Sequence, residues 1–258
     1  MPSSTPSVAE IRAVAQPPGL LARRSGEHWA GRLYMRRLSP YATWLAVRAG
    51  LTANTLTGAM IVVGLLGAAA LAIGGLVGPA IAFLAIQLYL LLDCSDGEVA
   101  RWRHATSMIG VYLDRLGHYV VEAAVMIGLG LHAGQRHELA WVVWGLVAGL
   151  FVILSKAETD LVDVARHRSG VAPAHDDDAI MTDARLAAGR RAAGRLPLHR
   201  ITHAVEATIL ILLAAVGDAI VGSTVVTRSL MVAMTCVAGL VAVLHLVSVL
   251  TSRRLVAP

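Results

Sequence analysis

Residues 88–101 read LYLLLDCSDGEVAR, so a run without charge leads directly into two aspartates, a glutamate and an arginine. A further aspartate, Asp114, and His118 follow within the next apolar run. Ionisable side chains within apolar segments are costly to hold in a membrane, and they are functional by default. A divalent cation shared by the carboxylates of Asp93, Asp96 and Asp114 is the simplest explanation for their presence.

The composition is that of a polytopic membrane protein. Of the 258 residues, 56% are hydrophobic and 15% are charged, and the mean hydropathy is +0.66. These values lie outside the range of an ordinary soluble domain. The two cysteines, Cys94 and Cys236, cannot make a disulfide framework and have no zinc-binding spacing, which argues against structural zinc and redox chemistry.

Apolar windows near the roughly 20 residues that cross a bilayer predict an all-α fold with six transmembrane helices. We expect a cytoplasmic tail and interfacial helix over 1–50, a membrane domain over 51–250 and a cytoplasmic tail over 251–258. Residues 28–48 mix arginines with Trp29, Trp44 and leucines, which favours an amphipathic helix in the membrane interface; alternatively, this segment caps the mouth of the site that holds the aspartates. The six spans are expected at about 54–75, 78–100, 108–131, 139–160, 203–221 and 226–250.

The basic residues predict the orientation of the chain. Seven lie before Leu51, two are Arg101 and Arg103, eight lie within 156–200 and two are at 253–254. Only two lie on the opposite side, so the positive-inside rule places both termini and the Asp93–Asp114 region in the cytoplasm. The loop 162–200 lies on the same side, and its Asp176–Asp178 run is more typical of a solvated segment than of a metal site.

The spacing of the polar residues indicates phosphate chemistry. Asp93 and Asp96 stand three apart, and Asp114 and His118 stand four apart, so each pair shares one face of its helix. Oxygen-rich clusters of this kind suit hard cations that also bind substrate phosphates. Since Arg101 could grip phosphate oxygens as a fork, the residues favour phosphoryl transfer.

The pattern D-x-x-D-G-x-x-A-R-x8-G-x3-D-x3-D resembles the signature of the CDP-alcohol phosphotransferase (CDP-alcohol phosphatidyltransferase) family. The chain matches every position except the last, where histidine replaces aspartate. The resemblance implies a metal-dependent transferase in which an alcohol attacks the β-phosphorus of a CDP-linked donor and CMP leaves. It implies metal ligands at Asp93, Asp96 and Asp114, and a nucleotide and diphosphate site shaped by Gly97, Ala100, Arg101 and Gly110.

The same resemblance implies the cofactor and the partners. The cofactor is Mg²⁺ or Mn²⁺, and the donor is expected to be CDP-diacylglycerol, with the acceptor alcohol left open. Partners are expected to be the lipid bilayer and a second copy of the chain, with no nucleic acid. An arginine- and alanine-rich composition favours a bacterial source and a location in the cell membrane.

A weaker likeness lies before the first span. Residues 51–57, LTANTLT, are similar to the L-T-P-N-x-x-T entry of the family, with alanine in place of proline. Asn54 and Thr57 then line the nucleotide pocket; alternatively they only cap the helix.

His118 is the main departure from the family pattern. The family usually assigns general-base work to the final aspartate, and imidazole, whose unperturbed pKa is about 6.5, suits that role. Loss of one carboxylate favours Mn²⁺ or a single ion. We therefore predict that His118, with Asp114, is catalytic and is oriented in part by Glu122, although a core histidine paired only with Glu122 is the structural alternative.

Three basic residues are candidates for holding a phosphorylated acceptor: Arg115, Lys156 and Arg200. Ordinary snorkelling or positive-inside placement accounts for them equally. Two other functions stay open at this stage. A divalent-cation transporter would place carboxylates near the midplane, and a weakened family member could act as a scaffold.

Overall fold

The computed structural model describes residues 6–17, 29–135, 137–171 and 198–252, together with Leu255. Regular structure within these ranges is helical, with no β-strand. The α-helices are α1 (Val8–Ala15), α2 (Arg36–Arg48), α3 (Ala53–Ala70), α4 (Val77–Trp102), α5 (Met108–Ala133), α6 (Leu139–Arg168), α7 (Ala204–Val221) and α8 (Val225–Thr251). The last six are long and apolar enough to cross a membrane, which confirms the predicted all-α polytopic fold.

Two helix ends differ from the predicted ones. Helix α3 ends at Ala70 rather than near residue 75, and the following turn includes Gly75, whose φ is +68°. Helix α6 continues to Arg168, past the predicted end near residue 160 and past its apolar segment. It ends where Gly170 adopts a φ of +72° and the Val171 N–H donates to the Arg166 carbonyl over 2.9 Å.

The predicted loop and tails are described only in part. Residues 162–168 belong to α6, and residues 172–197, with Asp176–Asp178, lie outside the described residues. The chain forms two compact units. The first joins the described residues up to Gly67 with Ala82–Val121, and the second joins Ala68–Ile81 with the described residues from Glu122 onward.

The first unit contains the predicted interfacial helix. Helical structure runs from Trp29 to Arg48, with a π-helical segment at Gly31–Met35 before α2. The side of α2 that packs inward carries Ser39, Pro40, Thr43 and Ala46, whereas large apolar side chains are exposed. These exposed residues are Leu33, Leu38, Tyr41 and Leu45. An exposed apolar face with flanking arginines suits a helix lying in the membrane interface.

Helix α1 precedes this segment and has a complete N-terminal capping box. The Glu10 N–H donates to the Ser7 hydroxyl over 3.2 Å, and the Ser7 N–H donates to the Glu10 carboxylate over 2.7 Å. The Ser7 backbone N–H, and after it the Ser7 hydroxyl, lower the pKa of Glu10 below its usual value. Two orphan donors are thereby satisfied, which lets a helix of only 8 residues begin at Val8.

The second unit is packed through small residues. A Cβ added to Gly130 would lie 2.5 Å from the Trp141 carbonyl oxygen, and one added to Gly145 would lie 2.7 Å from that of Met126. Glycine therefore allows the second half of α5 and the first half of α6 to touch along their backbones. The buried core of this unit includes Leu129, and also Met126, Ile211, Met231 and Met234.

Candidate active site

One cavity of about 400 Å³ lies within the first unit, between the N-terminal ends of α3 and α5 and the C-terminal end of α4. The connection 105–107 closes one side of it. The cavity brings together all the predicted metal, nucleotide and base residues. These are Asn54, Thr57, Asp93, Asp96, Gly97, Ala100, Arg101, Gly110, Asp114 and His118.

Three side chains in this cavity converge on one another. The His118 Nε2 lies 3.1 Å from Asp93 Oδ1 and 3.5 Å from Asp114 Oδ1. One ligand atom from each of the three residues falls within 4.8 Å of the other two. Carboxylates suit Mg²⁺ or Mn²⁺, whereas an imidazole is a ligand that other transition metals prefer, so Asp93 and Asp114 are the residues of this group that fit the predicted cation.

Asp96 is placed differently from the other two aspartates. It is 8% exposed, and its Oδ2 accepts a hydrogen bond of 2.6 Å from the Thr57 hydroxyl. Sequence reasoning grouped Asp96 with Asp93 and Asp114, whereas the structure groups those two with His118. Asp96 is held by the start of α3, and its role as a metal ligand stays a prediction.

Tyr89 is a site residue that sequence reasoning missed. Its hydroxyl lies 2.6 Å from His118 Nδ1, and the two rings meet edge to face with centroids 5.8 Å apart. Tyr89 is only 2% exposed, so the contact fixes which face the imidazole turns to the cavity. Its position four residues before Asp93, and so on the same face of α4, is the signal that could have found it. The Glu122 carboxylate, predicted to help orient His118, forms an ion pair with Lys156 over 3.1 Å.

Gly97 and Arg101 explain part of the motif spacing. They stand four apart on α4, and a Cβ added to Gly97 would lie 3.2 Å from one terminal nitrogen of Arg101. The glycine therefore gives the guanidinium room to lie along the helix surface at the cavity wall. Arg101 makes no ion pair with a carboxylate among the residues that the structure describes, so its terminal nitrogens can still bind an anion.

Gly110 and Asn54 meet across the cavity. A Cβ on Gly110 would lie 3.0 Å from Asn54 Oδ1, so this glycine allows the start of α3 to approach α5. The α3 N-terminus is capped by Thr52, whose hydroxyl accepts from the Thr55 N–H over 3.1 Å. Asn54 and Thr57 are therefore not needed as caps, and both line the cavity.

The three predicted acceptor residues are not among the described residues that line the cavity. Arg115 belongs to the first unit but is not among the described residues that line the cavity. Lys156 and Arg200 belong to the second unit, where Lys156 pairs with Glu122 and Arg200 lies in a 3-10 helix, Leu198–Thr202. Their roles in acceptor binding stay predictions.

Comparison with known proteins gives one finding about the family. The family model described as CDP-alcohol phosphatidyltransferase matches residues 50–256, which is most of the chain. No curated protein matches the sequence.

Proposed function

This chain belongs to the CDP-alcohol phosphatidyltransferase family, and we propose that it transfers a phosphoalcohol group from CDP-diacylglycerol to an alcohol acceptor with release of CMP. Membership of the family implies a CDP-alcohol donor and an alcohol acceptor. The observation that carries the proposal is the convergence of Asp93, Asp114 and His118 in a cavity that Arg101 also lines.

A divalent cation, Mg²⁺ or Mn²⁺, fits this site through the carboxylates of Asp93 and Asp114. Asp96, held by Thr57, is the third predicted ligand. When bound, the cation would neutralise charge on the donor diphosphate and on the leaving group. The chain's own residues supply the positioning, which is the larger part of catalysis in phosphoryl transfer.

Arg101 is proposed to hold the donor diphosphate. A planar guanidinium presents paired N–H groups that match phosphate oxygens. Gly97 leaves the surface beside it without a side chain, and Asn54 and Thr57 line the cavity where the cytidine would lie. This arrangement supports binding of the diphosphate against α4 with the nucleotide toward the start of α3.

His118 is proposed to accept the proton of the acceptor hydroxyl. For its Nε2 to accept that proton, Nδ1 must carry the hydrogen and donate it to the Tyr89 oxygen 2.6 Å away. The alcohol oxygen then forms a bond to the β-phosphorus, and the bond from that phosphorus to the bridging oxygen breaks. The bridging oxygen leaves with CMP, and the proton stays on the imidazole until it is lost to solvent.

Membrane placement completes the proposal. The six apolar helices indicate a protein integral to a membrane. We further propose that the site faces the cytoplasm of a bacterial cell membrane, on the distribution of basic residues, and that two copies form a homodimer, on the family resemblance.

Purified protein with Mn²⁺ or Mg²⁺, a panel of CDP-alcohols including CDP-diacylglycerol and a panel of acceptors would test the reaction. We expect CMP, detected by mass, only with a CDP-linked donor, an acceptor and the cation, and loss of CMP on chelation. Absence of CMP release across the panel would overturn the proposal. Cation flux in liposomes without CMP release would favour a transporter instead.

A further inference from the structure

Helix α1 contacts the candidate site through the side chain of Arg101. The Arg101 Nε–H donates to the carbonyl oxygen of Ala15 over 2.7 Å. Ala15 is the last residue of α1, where carbonyl groups lack a partner within the helix and carry the negative end of its dipole. One N–H of the guanidinium is thus committed to α1, while its terminal nitrogens lie beside Gly97.

Gln16, the next residue, is fixed by a buried carboxylate on the same stretch of α4. Glu98 is fully buried, and it accepts from the Gln16 amide over 2.7 Å. The hydroxyls of Ser39 and Thr43 donate to the same carboxylate over 2.6 and 2.7 Å, and Arg36 pairs with it over 3.2 Å. A buried charge is stable only when paired and fully hydrogen-bonded, and Glu98 meets both conditions.

The Gln16 amide also contacts the segment in front of the membrane helices. It donates to the Arg36 carbonyl oxygen over 3.0 Å. That carbonyl is available because Pro40, four residues further along α2, has no N–H to offer it. Gln16 therefore connects α1, α2 and α4 at one point, and the Ala15 carbonyl directly before it is fixed in place.

Glu98 and Arg101 stand three apart on α4 and so lie on the same side of the helix. Glu98 binds the end of α1 through the Gln16 amide, and the end of α1 binds Arg101 through the Ala15 carbonyl. Residues 8–16 lie outside the range matched by the family, 50–256. The contact with a motif arginine is therefore made by a part of this chain that the family match does not include.

From these contacts we infer that the N-terminal helix α1 is part of the proposed donor site. Gln16 and Glu98 act as positioning residues that orient the Arg101 guanidinium to bind the donor diphosphate. The inference rests on the proposed function. Holding Nε reduces the conformational entropy that a long side chain loses when it binds its ligand. Loss of the hold is expected to weaken donor binding more than the chemical step.

The test variant is Gln16→Ala, which removes the contacts to the Glu98 carboxylate, the Ser39 hydroxyl and the Arg36 carbonyl and leaves every cavity residue unchanged. The matched control is Arg12→Ala on the same helix, which removes only a 3.3 Å contact to the Arg37 carbonyl. A milder variant, Gln16→Asn, keeps the amide and serves if Gln16→Ala does not fold. Wild type and variants are compared by CMP release and by the rate at which phenylglyoxal labels Arg101, read by peptide mass.

We expect Gln16→Ala to raise the KM for the CDP-linked donor about tenfold, equivalent to about 1.4 kcal/mol, with kcat changed by less than about twofold. Labelling of Arg101 should accelerate by a similar factor, Gln16→Asn should give an intermediate result, and Arg12→Ala should match wild type. If Gln16→Ala leaves the donor KM and the labelling rate unchanged, even with a lower Tm, the contacts of Gln16 only attach α1 and the inference is overturned. Equal effects of Arg12→Ala on the donor KM and the labelling rate would also overturn it.

The two proposals fail in different ways. If wild type releases no CMP, the proposed function fails, and the labelling rates still show whether α1 holds Arg101. If wild type releases CMP and Gln16→Ala behaves as wild type in both measurements, only the positioning role is lost.

Discussion

Both compact units hold buried carboxylates that pair with basic side chains, as Glu98 does with Arg36 in the first unit, but the first unit also holds carboxylates that converge in a cavity instead. In the second unit the buried carboxylates among the described residues each have a basic partner: Glu122 with Lys156, and Glu158 with His245, each at 3.1 Å. In the first unit Asp93 and Asp114 are partly exposed in a cavity and share one imidazole. Paired charges serve stability, whereas convergent charges that lack matching cations indicate a binding site.

The largest effect is expected from Asp114→Asn in the first unit. It keeps the shape of the side chain but removes a charge from the cluster. CMP release should fall about 10³-fold, the upper end of what one preorganised electrostatic group contributes, with an unchanged Tm. Asp163→Asn, an exposed carboxylate on α6, is the control and should keep full activity. Equal activity of the two variants would remove the distinction between the units.

A smaller loss is expected from His118→Ala. If the imidazole is the base, kcat should fall about 10²-fold, while Mn²⁺ affinity, measured by electron paramagnetic resonance, should stay within about twofold. His118→Asp, which restores the family residue, should recover part of kcat. A large loss of Mn²⁺ affinity in His118→Ala, with little change in kcat, would instead identify His118 as a metal ligand.

Tyr89→Phe should reduce kcat about tenfold, the lower end of the effect of losing a partner that orients a site residue. The edge-to-face ring contact with His118 remains and only the hydroxyl is lost, so the donor KM should not change. Tyr112→Phe removes a hydroxyl from a side chain that is 64% exposed and is the matched control. A wild-type kcat in Tyr89→Phe would show that the hydrogen bond to Nδ1 does not orient the base.

The smallest effect on turnover is expected in the second unit. Lys156→Met leaves the Glu122 carboxylate buried without its cation, which should cost about 1 to 3 kcal/mol of stability and lower the Tm in detergent. Activity per folded molecule should not change, and Glu122→Gln added to Lys156→Met should recover part of the Tm. A raised acceptor KM in Lys156→Met would instead support the acceptor role predicted from the sequence.

Much of the fold and of the candidate site could be predicted from the sequence, because the apolar windows and the motif that indicate them are local patterns. Six apolar windows predict the six spans. The predicted ends of α6 and α3 are wrong, because polar residues extend α6 past its apolar segment and a glycine turn ends α3 early. The motif spacing predicts residues that do line one cavity. The imidazole in place of the last aspartate was visible, but its approach to Asp93 was not, since it depends on how α4 packs against α5.

Glu98 and Tyr89 were missed for a different reason. Glu98 occupies an unspecified position of the motif, and its partner Gln16 is 82 residues earlier in the chain. Tyr89 lies in an apolar run and reads as part of the core. A side chain that acts through a distant partner gives no periodic or compositional signal, so only the folded chain identifies it.

Pro40 links the stability of α2 to its contact with Gln16. A proline inside a helix is normally counted as a defect, but here the acceptor that it leaves vacant receives the Gln16 amide. Replacing it with alanine would improve the local helix and at the same time supply a competing donor for that oxygen. A substitution that stabilises α2 would thus weaken its contact with α1, because the carbonyl that Pro40 leaves without a helical donor is the one that binds Gln16.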